Sequence, residues 1–211
     1  MSIREHFTLS GAAIAAALLD EELEAAAAHA ADTMAQCLIA DGKILLAGNG
    51  GSAAGAQHIA GELMGNLNFP RPALPAIALT ADSAVLTALA NDFGYDWAIA
   101  RQIEALGMIG DIFIGLSTSG NSSNIIQGLK RARQLGLTTI GMTGRSGGAM
   151  LPLCDICLRV PSHRTSLIQE VHLVVAHAIC AQVEAALFSP VENIASPPHG
   201  ADPARGSSPA A

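Results

Sequence analysis

From residue 43 onward, two hydrophobic textures alternate along the chain. Short unbroken apolar runs cover residues 43–48, 76–80, 111–117, 138–143 and 156–160. Between and after them lie stretches with helical spacing, at 52–66, 83–90, 96–106, 122–135 and 165–188. Continuous apolar strands alternating with helices predict an α/β fold with a parallel sheet covered on both faces. Ahead of the first strand, residues 8–40 are rich in Ala and Leu, carry interspersed acids and contain no Pro. They read as one or two helices broken near Asp20.

The two ends read differently. Gly11 to Leu19 is apolar, but it is too short to span a bilayer, Glu5 offsets Arg4 ahead of it, and Asp20-Glu21-Glu22-Leu23-Glu24 follows at once. An amphipathic helical hairpin fits better than a secretion signal, and a cytoplasmic location is expected. Residues 189–211 hold five of the ten prolines without apolar periodicity and read as a disordered tail. With no internal repeat or linker, residues 1–188 are expected to form one domain.

Composition narrows the function. Of 211 residues, 50% are apolar and 14% charged, which excludes a disordered chain, a collagen-like repeat and a coiled coil. A net charge of −7 argues against a nucleic-acid backbone binder, and 3% aromatics argue against base-stacking platforms. An acidic chain can still hold a small phosphate through backbone amides and hydroxyls. The four cysteines, Cys37, Cys154, Cys157 and Cys180, are too few for a disulfide framework. Cys154 and Cys157 flank the entry to a strand, where residues three apart point to opposite faces. They are expected to be small buried hydrophobes, not metal ligands.

Three places carry candidate chemistry, the first two just beyond the carboxyl end of an expected strand, where parallel sheets put their ligands. Gly48-Asn49-Gly50-Gly51-Ser52 is a glycine turn opening a helix, with neither P-loop nor dinucleotide spacing. Ser117-Thr118-Ser119-Gly120-Asn121-Ser122 puts four hydroxyls into six residues at a strand-to-helix junction, more than helix capping requires and well suited to a phosphate. Last come two helical spacings: His58 and Glu62 are four apart, and Gln169 and His177 are eight apart, each pair on one face. Two imidazoles, a carboxylate and an amide oxygen can serve acid–base chemistry or a metal site. His172 is an alternative ligand by spacing. His6, His29, His163 and His199 have no partner pattern.

Taken in order, the glycine turn with Gln57-His58 and Glu62, Ala90-Asn91-Asp92, the hydroxyl loop, and Ile168-Gln169-Glu170 with His177 resemble the sugar-isomerase (SIS) domain family. The likeness covers residues 5–188 and is strongest to the branch acting on sedoheptulose 7-phosphate. It implies a three-layer αβα sandwich with a five-stranded parallel sheet, its N-terminal helices packing in a homotetramer with active sites near subunit contacts. The implied reaction forms D-glycero-D-manno-heptose 7-phosphate, the first step toward the heptose of lipopolysaccharide.

By the family pattern, Ser117, Thr118, Ser119 and Ser122 hold the phosphate with Ser52 nearby, while Asn49, Gly50, Gly51, Asn91 and Asp92 contact the sugar and Gln169 also binds substrate. Glu62 and His177 match the acid–base pair, with Glu62 also touching substrate. Zinc is implied at His58, Glu62, Gln169 and His177, in tension with proton transfer by two of the same residues. Gly55 and Asn66 depart from the family pattern, which commonly has Asp and Arg there. Two rivals share the motifs: non-catalytic adaptors that bind the bacterial replication initiator, which Val160-Pro161-Ser162-His163-Arg164 also resembles, and isomerases of other sugar phosphates. The adaptors typically lack the carboxylate and the last-helix His that Glu62 and His177 supply here.

Overall fold

The computed structural model describes residues 1–188; the expected disordered tail, 189–211, lies outside the described residues. Two helices open the chain, α1 (Ile3–Leu18) and α2 (Glu21–Ile39). The break falls at Asp20 because its carboxylate caps α2, accepting from Leu23 N at 3.0 Å. Then come β1 (Ile44–Ala47), α3 (Gly51–Met64), β2 (Ala76–Ala78), α4 (Ser83–Phe93), α5 (Ala98–Leu106), β3 (Ile112–Leu116), α6 (Ser123–Gln134), β4 (Thr138–Gly144), β5 (Ile156–Val160) and α7 (Thr165–Leu187), with short 3₁₀ turns at Tyr95–Trp97 and Gly148–Leu153.

All five strands are parallel, in the order β2-β1-β3-β4-β5. The chain leaves β1 for one side and returns to β3 on the other, so the order reverses between these two strands. Their carboxyl ends are level, Ala47 opposite Gly115. A parallel sheet places its ligand crevice at such a reversal, and both the glycine turn and the hydroxyl loop start there.

Alternate strand residues feed two cores. Ile44, Leu46, Ile112, Ile114, Ile140 and Met142 pack under α2, α3 and α7. Leu45, Phe113, Ile99, Ile103, Ile125 and Leu129 fill the opposite side under α5 and α6. By length and composition α7 is apolar enough to cross a membrane, yet it buries Ile168, Val171, Ala176, Ile179 and Val183 in the cores. In contrast, α4 buries none of its residues.

One expectation is corrected. Cys154 ends the 3₁₀ turn and is not part of β5, so strand alternation does not separate it from Cys157. Cys154 Sγ–H donates to Met150 O at 3.2 Å, and both sulfurs lie beside Gly141, where a Cβ would lie 2.5 Å from Cys154 Sγ and 3.5 Å from Cys157 Sγ. All four cysteines are free; Cys37 and Cys180 are buried, Cys154 and Cys157 half-buried.

Candidate active site

The hydroxyl loop is shaped by its backbone. Ser117 leaves β3 almost fully buried, and its Oγ sits 2.8 Å from Ser122 Oγ and 3.5 Å from Ser119 Oγ. Ser122 is the N-cap residue of α6, yet its hydroxyl makes no capping bond. Capping therefore does not explain these serines, and the helix N-terminus favours an anion beside them. Gly120 (φ +69°) turns the loop against Gly147 and Gly148 so closely that a side chain at Gly120 would overlap backbone. Further bonds run from Gly144 N to Thr118 O at 3.1 Å, Met150 N to Gly120 O at 3.0 Å and Ala149 N to the Asn121 amide oxygen at 2.9 Å.

The glycine turn packs on α7. A Cβ on Gly51 would come 2.8 Å from Gln169 Oε1, and Gln169 Nε2 lies 3.4 Å from the buried Ser52 hydroxyl. Between α3 and α7 runs a cleft of about 260 Å³, lined by Ser52, Gly55, Ile59, Leu116, Gln169 and Leu173 among others. Leu116 directly precedes the hydroxyl loop, whose own hydroxyl residues do not line this cleft. Asn49 exchanges two 2.9 Å hydrogen bonds with the buried Asn124 and accepts a third from Tyr95 Oη at 2.7 Å.

About two turns further along the same two helices, His58, Glu62 and His177 converge, 119 residues of chain separating the two imidazoles. His58 Nε2 lies 2.8 Å from His177 Nε2 and 3.4 Å from Glu62 Oε1, and the three potential ligand atoms fall within 4.8 Å of one another. Two ring nitrogens this close cannot both carry a proton toward each other: either one donates, or both lone pairs face a shared cation. Two imidazole nitrogens and a carboxylate oxygen, with an open side toward solvent, form a donor set that suits Zn²⁺. Glu62 thus faces α7, and on that helix burial and then the Glu62 carboxylate push the Cys180 thiol up to about 12.

Other expected residues fall elsewhere. Gln169 is held at Ser52, eight residues, about two helical turns, before His177. Asn91 and Asp92 are exposed on the last turn of α4, with Asn91 Nδ2 donating to Asp92 Oδ1 at 2.8 Å. His172, the alternative ligand, is buried, and its Nε2–H donates to Thr143 O at 3.2 Å. Burial pushes its pKa down to about 4, so the ring is neutral at pH 7 and serves as core.

Four residues near the site were not anticipated: Asn124, Tyr95, Arg71 and Glu184. Glu184 did carry a signal, as a lone acid within the largely apolar stretch Ile179-Cys180-Ala181-Gln182-Val183-Glu184-Ala185-Ala186-Leu187. Arg71 sits among prolines and carried none.

Fold and site together define a sugar-isomerase-type protein: SIS-domain models match residues 6–144 and 103–188. A phosphoheptose isomerase from Aneurinibacillus thermoaerophilus is 50% identical over 186 residues, 88% of this chain and 94% of that one. Another, from Burkholderia pseudomallei, is 51% identical over 175 residues, covering 83% and 89%. Among solved structures, phosphoheptose isomerase GmhA from Neisseria gonorrhoeae superposes with a TM-score of 0.82 at 42% identity, covering 87% of this chain and 97% of that one. The chain belongs to the phosphoheptose isomerase family of SIS-domain proteins.

Proposed function

We propose that this chain isomerises sedoheptulose 7-phosphate to D-glycero-D-manno-heptose 7-phosphate for heptose biosynthesis. The observation that carries the reading is the convergence of Glu62 and His177, from helices far apart in sequence, on the same two helices that line a cleft with Ser52 and Gln169. Ketose–aldose exchange removes a proton from C1 of the open-chain sugar and returns one to C2 through an enediolate. Glu62 and His177 are assigned that transfer, and positioned acid–base groups contribute roughly 10²–10⁴-fold. Ser117, Thr118, Ser119 and Ser122 are assigned the phosphate, with Ser52 beside them. Asn49, Gly50, Gly51, Gln169, Asn91 and Asp92 are assigned to the sugar, the last two from the exposed α4.

His58, Glu62 and His177 are the residues that would hold zinc, with Gln169 as the outlying fourth. When bound, the metal would polarise the sugar carbonyl as a Lewis acid. Metal analysis of protein purified without chelator is expected to find stoichiometric zinc; its absence from fully active protein would exclude this role. Residues 1–188 are proposed as one SIS unit, cytoplasmic and assembled as a homotetramer. Exposed Ile3, Phe7, Leu18 and Leu19 on the outer helices support association of copies.

Incubation with sedoheptulose 7-phosphate tests the activity, with Glu62→Gln and His177→Ala as controls. Inert wild-type protein that instead captures the replication initiator would hand the reading to the adaptor class. Turnover of a pentose or hexose phosphate in its place would move the substrate and keep the chemistry.

A further inference from the structure

We infer that Arg71 and Glu184 form a buried clamp that sets the position of Glu62 relative to His177, making both of them positioning residues for the reaction. This rests on the assignment of Glu62 and His177 as the acid–base pair. The side chains of Arg71 and Glu184 are only 2% and 1% exposed, and Arg71 Nε donates to Glu184 Oε1 at 2.9 Å. One terminal nitrogen of the guanidinium donates to Leu63 O at 2.8 Å and Pro72 O at 2.9 Å. The other donates to Glu62 O at 2.7 Å. Glu184 in turn accepts from Leu67 N at 3.0 Å and Asn68 N at 2.8 Å.

The placement is specific. Carbonyls in the last turn of a helix lack partners within it, and α3 ends at Met64; Leu63 O also accepts from Leu74 N at 3.0 Å, and Arg71 supplies the donor to Glu62 O. Glu184 follows His177 by seven residues, two turns along the same rigid helix and therefore on the same side. A closed path results: from His177 along α7 to Glu184, across Arg71, to the backbone of Glu62, and across the site to His177 again.

Burial alone would raise the Glu184 carboxyl, but the Leu67 and Asn68 amides and Arg71 outweigh it and keep the group ionised. Stability alone is a poor reason for this pair, because apolar replacements of buried ion pairs are often neutral or stabilising. What apolar side chains cannot reproduce is a planar fork tying four acceptors in fixed directions.

The test compares Arg71→Lys and the double variant Arg71→Met/Glu184→Met with wild type. Measured are kcat and KM for sedoheptulose 7-phosphate, competitive inhibition by inorganic phosphate, and Tm. Lysine keeps the charge and loses the fork; the double variant removes both buried charges. Both are expected to fold and to lose kcat by about 10²-fold, the cost of an ångström-scale misplacement, with KM and phosphate inhibition little changed. A folded double variant with wild-type kcat overturns the clamp, as does a rise in KM and in the phosphate inhibition constant at constant kcat. Failure of both variants to fold also counts against it, since the pair would then serve the fold alone. Glu62→Gln and His177→Ala separate the two ideas. If these two retain activity, the acid–base assignment fails; if they are inert while the clamp variants turn over normally, only the clamp does.

Discussion

Around the hydroxyl loop, the backbone builds the site: a buried strand end, a glycine turn and amide hydrogen bonds from the next strand's loop leave little for side chains to decide. At the histidine–carboxylate group, the backbone is ordinary helix. There the chemistry depends on how two helices sit against each other and on one buried ion pair behind them. The first region holds its shape by local geometry, the second by long-range packing. A change to either should therefore move a different kinetic constant.

The largest effect is expected at the packed pair. Glu62→Gln and His177→Ala should each lower kcat by about 10²–10⁴-fold, while inorganic phosphate inhibits the residual activity with an unchanged constant. A parallel loss of phosphate inhibition would show that the regions are not separable. Next comes the core of α7. His172 is neutral in the fold, its pKa near 4 against 6.5 unfolded, so the unfolded state takes up the proton first as pH falls. Stability is full above pH 6.5 and declines down to about pH 4, with about 2 kcal/mol already lost at pH 5. Urea unfolding of wild type and His172→Gln at pH 7 and pH 5 checks this, since the variant should lose much less between the two.

How much of this could be read from the chain follows the same division. The strand-to-helix junctions at Ser52 and Ser117–Ser122 announce themselves because every determinant is contiguous: an apolar run, glycine, hydroxyls, then helical spacing. Spacing also put His58 with Glu62 on one helix face, but joining them to His177 took family likeness, because no local pattern encodes a contact across 119 residues. The Asn49–Asn124 exchange and the Arg71–Glu184 pair escaped for that reason too. The geometric argument for Cys154 and Cys157 failed through a boundary: strand alternation was applied two residues before β5 begins.

Smaller effects sharpen the contrast. Ser117→Ala removes one hydroxyl from an ionic ligand and should raise KM by about 10–100-fold, as for hydrogen bonds to charged groups worth roughly 1.5–3 kcal/mol. Its kcat should stay near wild type in a steady-state assay. The mildest case is Gly61→Ala, on the exposed face of α3, where nothing lies within 4 Å of the added carbon. Thermal unfolding should show a gain of about 0.5–1 kcal/mol with unchanged turnover.

The crossing of Gly120 over Gly147 and Gly148 has a consequence for how such a protein can diverge. All three residues have positive φ, and a methyl group at Gly148 would sit 2.5 Å from Ser119 O. Two loops separated in the chain are thereby geared together, and neither can be recast without the other. The outer helix α1, which buries only Ala13, is where descendants can wander and acquire new neighbours while the hydroxyl loop keeps its shape.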